Sequence, residues 1–408
     1  MEHYNSKLWT KDFIIVSTIN FFLALVFYLL VVTIAVYAVD KYDASTSEAG
    51  LITGIFIIGT LIGRLFIGRL INIIGQRKTL FIGLIMYLVT TSFYFINAGI
   101  AFLLLTRFLH GIALGVANTA TGTIVAQTIP ANRKGEGIGY FSMSATLAAA
   151  LGPFIGLYMS QHTTFQMIFS FCLALGLISL LIGLFLHVPA IPAREEEAKQ
   201  KLFVFKKPKL SNFVEPRALP IATITLVTSL CYASVLSFVN FYAIEKDLVT
   251  AASFFFVVYA GAVLLSRPIT GRLMDVKGAN VVMYPAFFIL AAGMILLSLA
   301  DNGFTFLISG ILIGLGFGNI QSCTQAIAVK LTPVQRMGLA TSTFFIFLDA
   351  GLGFGPYLLG FLIPLTGYSF LYGILGIVAM LSSILYYFLH GKKDKMDRKK
   401  EGSTLAAL

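Results

Sequence analysis

The chain has 408 residues, of which 58% are apolar and 12% charged, with a formal net charge of +11. A soluble domain carries about 25% charged residues and has no interior large enough to hide so much apolar surface, so a water-soluble globular protein is excluded. The basic residues stand beside apolar blocks rather than in one patch, which argues against nucleic acid as a partner and for a bilayer.

The first apolar block, Phe13 to Val39, holds no charge. About 20 such residues cross a bilayer as a helix. It is too long for a signal-peptide core and lacks a small-residue cleavage site. Eleven further blocks follow, and the spans are expected near 13–38, 49–70, 77–97, 100–127, 137–160, 165–188, 219–244, 251–273, 280–300, 303–330, 338–363 and 368–390. The fold class is therefore an all-α membrane protein. Its expected organisation is a six-helix half (1–188), a charged linker (189–217), a second six-helix half (218–391) and a basic tail (392–408). Lysine and arginine concentrate in alternate loops, in the linker and in the tail, which places both termini in the cytoplasm. Cys172, Cys231 and Cys323 each lie inside an apolar block and read as small core residues without a disulfide.

The second span ends in Gly-Arg-Leu-Ile-Asn-Ile-Ile-Gly-Gln-Arg-Lys, Gly68 to Lys78, and the eighth in Gly-Arg-Leu-Met-Asp-Val-Lys-Gly, Gly271 to Gly278. Gly68 and Gly271 are 203 positions apart (271 minus 68). At that one offset Arg64 falls on Arg267, Gly75 on Gly278, Gly111 on Gly314, Pro130 on Pro333, Arg133 on Arg336, and Gly152-Pro153 on Gly355-Pro356. The halves read as a parallel duplication about an axis along the membrane normal. Asn72 stands where the second copy has Asp275. Asparagine can cap a helix or hydrogen-bond, but it forms no ion pair.

Several polar residues interrupt the spans. The first contributes Asn20 and Tyr28, the fourth Arg107, His110 and Asn118, the tenth Asn319, Gln321, Thr324 and Gln325. At 100° per residue, Arg107, His110, Leu114, Asn118 and Thr121 share one face, as the wall of a polar cavity would require. An arginine at such depth faces the bundle interior, or snorkels if it lies near the span end. Asp349, midway along the eleventh span, is the one carboxylate expected deep within a span. It can carry a proton or attract a cation; the structural alternative is a permanent pair with Arg64 or Arg267. Gly139, Gly152 and Gly156 give the fifth span a smooth face around Pro153, and Gly351, Gly355 and Pro356 repeat it in the eleventh.

With these residues in view, the chain resembles the major facilitator superfamily, specifically its twelve-helix drug:proton antiporter branch. The family loop signature, Gly-x-x-x-Asp-Arg-x-Gly-Arg-Arg/Lys, is met at Gly68, Gly75, Arg77 and Lys78, and departs from it at Asn72 and Ile73. The second copy keeps Gly271, Asp275 and Gly278. Arg107 and Gly111 resemble the fourth-span motif of proton-coupled exporters. Gly139, Gly152, Pro153 and Gly156 resemble the fifth-span antiporter motif, with Ala148 and Leu157 as departures. The resemblance implies alternating access, a loop that helps lock one access state, and proton-driven export. It implies no cofactor or metal beyond a proton as coupling ion, a small-molecule substrate, multidrug efflux from a bacterial cell membrane, and a functional monomer. Asp349 with Arg107 is the expected proton-coupling pair. Asn20, Tyr28, His110, Asn118, Asn319, Gln321 and Gln325 are the expected cavity residues. Export of one defined metabolite, proton-coupled uptake and a non-transporting sensor are the alternatives. An enzyme is disfavoured by the lack of a nucleotide loop, a metal cluster or a nucleophile–base pair.

Overall fold

The computed structural model describes residues 7–188 and 213–394, so most of the expected linker and basic tail lie outside the described residues. The described residues form no strand. Twelve long helices follow one another: α1 Lys11–Tyr42, α2 Thr46–Ile74, α3 Gln76–Ser92, α4 Ile100–Thr128, α5 Lys134–His162, α6 Phe165–Gly183, α7 Leu219–Glu245, α8 Val249–Lys277, α9 Ala279–Ser298, α10 Gly303–Lys330, α11 Met337–Gly360 and α12 Ile363–Tyr386. Among the described residues, twelve helical segments are long and apolar enough to cross a membrane, as expected from the apolar block lengths. Only helices satisfy every backbone group within one such segment, which is why the apolar blocks fold this way. Their outward faces carry large apolar side chains; Leu365 is 82% exposed and Leu265 79%. In hydrocarbon that exposure carries no penalty.

Helix ends follow local chemistry. Thr10 caps α1 by accepting from the Phe13 amide. Ser45 and Glu48 form a reciprocal capping box on α2, satisfying two amides that the helix leaves orphaned. Gly75 joins α2 to α3 at φ 91°, and Gly278 joins α8 to α9 at φ 97°. Only glycine takes that conformation without strain, so the duplicated glycine is the duplicated turn. Between α7 and α8, the Lys246 ammonium bonds the exposed Asp301 carboxylate at 3.3 Å. This bond holds the lysine pKa above its ordinary value.

The chain divides into two compact units. One comprises Met1–Pro130, Ser144–Pro216 and Thr332–Ile346; the other comprises Ala131–Met143, Arg217–Leu331 and Phe347–Leu408. The first part of α5 therefore groups with the second unit, and the first part of α11 with the first. In the first unit α4 packs against α2 and α3; in the second α10 packs against α8 and α9. The matched glycines make this possible. A Cβ at Gly115 would meet the Thr60 carbonyl at 2.5 Å, and one at Gly314 the Tyr259 carbonyl at 2.6 Å.

Candidate functional site

The two Gly-Arg-Leu loops hold the starts of α5 and α11, each within one unit. In the second unit the Asp275 carboxylate accepts from the backbone amides of Gly135 and Glu136, both at 2.8 Å. These belong to the first turn of α5, where amides lack intrahelical partners and the helix dipole is positive. Lys330, the last residue of α10, adds an ion pair at 2.7 Å, and the Asp275 side chain is 1% exposed. Gly271 is obligatory there, because a Cβ would meet the Gly135 carbonyl and the Glu136 Cα at 2.8 Å. In the first unit the Asn72 amide donates to the Gln335 carbonyl, just before α11. Its Oδ1 is buried without a hydrogen-bond donor among the described residues. Gly68 fits against Ser342, whose hydroxyl donates to the Arg64 carbonyl at 2.6 Å. Arg77 reaches the Leu184 carbonyl at 3.1 Å, and Lys78 is exposed.

Arg107 and His110 are fully buried in α4. Arg107 donates from Nε to the Ile52 carbonyl at 3.3 Å and from Nη1 to the Tyr94 hydroxyl at 3.2 Å. Its guanidinium lies 4.3 Å from the centroid of the Phe56 ring. His110 Nδ1 is 3.0 Å from the Tyr94 hydroxyl, and Nε2 is 3.4 Å from the Thr91 hydroxyl. Among the described residues no carboxylate pairs with Arg107; neutral oxygens and an aromatic face compensate its charge. Tyr94 and Thr91 were not singled out in the sequence, because aromatic and hydroxyl residues are ordinary at a span end.

Asn118 and Thr121, assigned by helical periodicity to the same stripe, join a second cluster instead. Asn118 Nδ2 donates to Asn20 Oδ1 at 2.8 Å, Thr121 donates to the same oxygen at 3.4 Å, and Asn20 Nδ2 donates to the Ser144 hydroxyl at 2.8 Å. This cluster ties α1, α4 and α5 together within the first unit. Tyr28, two turns further along α1, packs its Cβ against Gly152.

The second unit has its own polar cluster. The Arg267 guanidinium donates to the Gly318 carbonyl at 3.2 Å and to Gln321 Oε1 at 3.3 Å. Asn319 donates to the Ser266 hydroxyl at 3.0 Å and accepts from Thr270 at 2.6 Å. Gln325 accepts from Ser142 at 3.4 Å. Beside them Tyr232 stacks between Tyr259 and Phe317, with centroids 5.2 and 4.2 Å apart. Arg64, the repeat partner of Arg267, lies with its guanidinium 4.4 Å from the Phe345 ring centroid in the first unit.

Asp349 is half-buried, midway along α11. Just beyond it the helix crosses α7 at close range. A Cβ at Gly351 would meet Ser229, and one at Gly355 would meet the Ala233 Cβ at 2.7 Å. The first unit repeats the crossing between α5 and α1, where a Cβ at Gly152 would lie 2.6 Å from the Tyr28 Cβ and one at Gly156 2.9 Å from the Leu29 carbonyl. Pro153 and Pro356 lie inside their helices beside these crossings. Gly139, by contrast, faces Arg267 at 3.4 Å or more, with room for a Cβ. No group of three or more metal-ligating side chains occurs among the described residues.

Known proteins share this architecture. The human organic anion transporter MFSD10 (TETRAN) superposes with a TM-score of 0.73 at 14% identity, covering 92% of this chain and 98% of that one. The transporter FucP gives 0.73 at 15%, covering 94% and 99%. An uncharacterized MFS-type transporter of Methanocaldococcus jannaschii is 27% identical over 362 residues, 86% of this chain and 91% of that protein. The quinolone resistance protein NorA of Staphylococcus aureus is 25% identical over 234 residues, 57% of this chain and 59% of NorA. The sequence profile of the Major Facilitator Superfamily matches residues 16–347 and 249–407. Built twice over from helices that cross a membrane, with glycine-fitted crossings and buried polar clusters in each half, the chain belongs to the Major Facilitator Superfamily and is a multi-pass membrane transporter.

Proposed function

We propose that the protein exports small lipophilic or cationic compounds by alternating access, driven by inward proton movement. The observation that carries this reading is Asp349, a carboxyl group half-buried midway along a membrane-spanning helix. A charge at that depth costs about 2.5–3.5 kcal/mol on insertion scales and is retained for a task. Loading and releasing a proton is that task here, with Arg107 as the cation that favours release in one access state. The likeness to a quinolone resistance protein supports the drug-efflux direction. The antiporter-type motif at Gly152, Pro153 and Gly156 supports exchange over symport. The carrier works as a monomer in the cell membrane, with both termini in the cytoplasm. Asn20, Tyr28, Asn118, Asn319, Gln321 and Gln325 supply the substrate's polar contacts; His110 acts through Arg107.

The proton carries one charge down the membrane potential, worth about 2.3 kcal/mol per 100 mV, or roughly fiftyfold in accumulation. The test is transport in proteoliposomes with an imposed pH gradient, screened across cationic dyes, sugars and organic acids. Gradient-driven accumulation of cationic dyes is expected. Asp349→Asn should abolish accumulation and keep gradient-free exchange, while Asp349→Glu should keep coupling with a shifted pH optimum. Wild-type accumulation by Asp349→Asn would remove Asp349 as the proton carrier. Transport of sugars or organic acids alone would overturn the substrate class.

A further inference from the structure

Both carboxylates that hold the start of α5 in the second unit lack a counterpart in the first. Asp275 becomes Asn72, and Glu136 becomes Leu339 at the repeat offset. Glu136 pairs with Arg133 there, at 2.8 and 2.9 Å. The counterpart of Arg133 is Arg336, just before α11. It has a carboxylate nonetheless: Glu215 Oε2 lies 2.6 Å from Arg336 Nε.

Glu215 comes from the end of the segment that joins the halves in sequence. Its side chain is 2% exposed, and its backbone N–H donates to the Thr343 hydroxyl, in the second turn of α11, at 2.9 Å. Two residues earlier the Phe213 ring stands edge-on to Phe66 of α2, with centroids 6.4 Å apart, and the Arg69 guanidinium lies 5.4 Å from its centroid. The short stretch Phe213–Glu215 thus grips α2 with a ring, the turn before α11 with an acid and α11 itself with a backbone amide, all within the first unit.

We infer that Glu215 is a positioning residue that supplies the carboxylate both repeat positions lack, so that the linker end adds an ion pair to the single Asn72 contact by which the α2–α3 loop holds the start of α11. The inference rests on the transporter reading for its purpose. α11 is the helix that carries Asp349, and a carrier that alternates must hold and release this helix start. An acid at Glu215 makes the hold depend on the linker. A buried acid paired with a partly exposed arginine gives an ion pair that opens as a unit: moving the strap removes the carboxylate, while Arg336, 44% exposed, can turn to water. An acid at position 72 would instead stay with α2.

The test reads the latch without substrate or gradient, so failure of the export reading would leave it untouched. Leu339 is 6% exposed and sits in the first turn of α11, while Cys172, Cys231 and Cys323 are all buried and react slowly. The full-length, detergent-solubilised Leu339→Cys protein is labelled with a polar maleimide. Adding Glu215→Gln should speed labelling about tenfold, the factor that about 1.4 kcal/mol of lost latch energy produces. Arg336→Gln removes the same pair from the other side, should act likewise, and serves alone if Glu215→Gln cannot be purified. Adding Asn72→Asp to Glu215→Gln returns an acid to the loop beside the start of α11 and should return the rate to within about twofold of the parent. Parent-like labelling in both single variants would overturn the latch. No slowing by Asn72→Asp would overturn the claim that Glu215 replaces the loop acid.

Discussion

A guanidinium enclosed by helices is held by whatever oxygens reach it, and for Arg107 these are the Tyr94 hydroxyl and the Ile52 carbonyl. Tyr94 serves two residues at once, since the same hydroxyl meets His110. Tyr94→Phe leaves a donor of Arg107 and a ring nitrogen of His110 unmet, at a cost of about 1–3 kcal/mol. A lowered midpoint in thermal unfolding of the detergent-solubilised protein checks this; an unchanged midpoint would mean that water or another oxygen replaces the hydroxyl. Arg107→Lys should impair transport more than it impairs folding, because an ammonium keeps the charge but loses the planar fork. The ratio of initial transport rate to folded protein measures that split. Arg107 and His110 were legible in the sequence because charge and imidazole stand out in an apolar block. Their separation from Asn118 was not. A helical wheel shows angle and hides distance along the axis, and eleven residues at 1.5 Å rise put Asn118 about 16 Å from Arg107.

At the scale of helices, the close crossings of α5 on α1 and α11 on α7 leave no room for a side chain. Gly152→Val should cost about 1–3 kcal/mol through overpacking against Tyr28 and Leu29, read as reduced yield of monodisperse protein and an earlier thermal transition. Pro153→Ala adds no atoms against α1 and restores a backbone donor, so insertion should be intact and turnover slower. Normal turnover would leave the proline a packing residue only. The glycines were legible from their repeat at a single offset. Their partner helices were not, because a smooth face records that something packs closely and says nothing of what. The second-unit staple offers a sharper case. Asp275→Asn removes the charge from the start of α5 and from Lys330, and should destabilise by about 1–2 kcal/mol, seen as a lower denaturation midpoint than that of the parent. Asp275 was legible as a loop residue; that its oxygens close the first turn of α5 required the fold.

For the molecule as a whole, the twelve spans were legible because hydrocarbon imposes a length: about 20 apolar residues per crossing. The grouping of 131–143 with the second unit and of 332–346 with the first was not, since hydropathy ignores which helix a residue meets. Glu215 illustrates the gap: in sequence it is one acid among the charges of a linker, and in the fold it is buried. Orientation rests on the basic loops, and a reporter fused after Leu408 should be active only in the cytoplasm; activity on the outer face would invert the orientation. The paired turns at Gly75 and Gly278, with φ of 91° and 97°, have a practical consequence. They make 68–75 and 271–278 interchangeable as backbone, so a chimaera carrying the later segment in place of the earlier keeps Arg77 and Lys78 and should insert normally while importing an acid to position 72. The chain is in this sense its own control: one junction written with an acid and one without, expressed together in the same membrane and separable by a single graft.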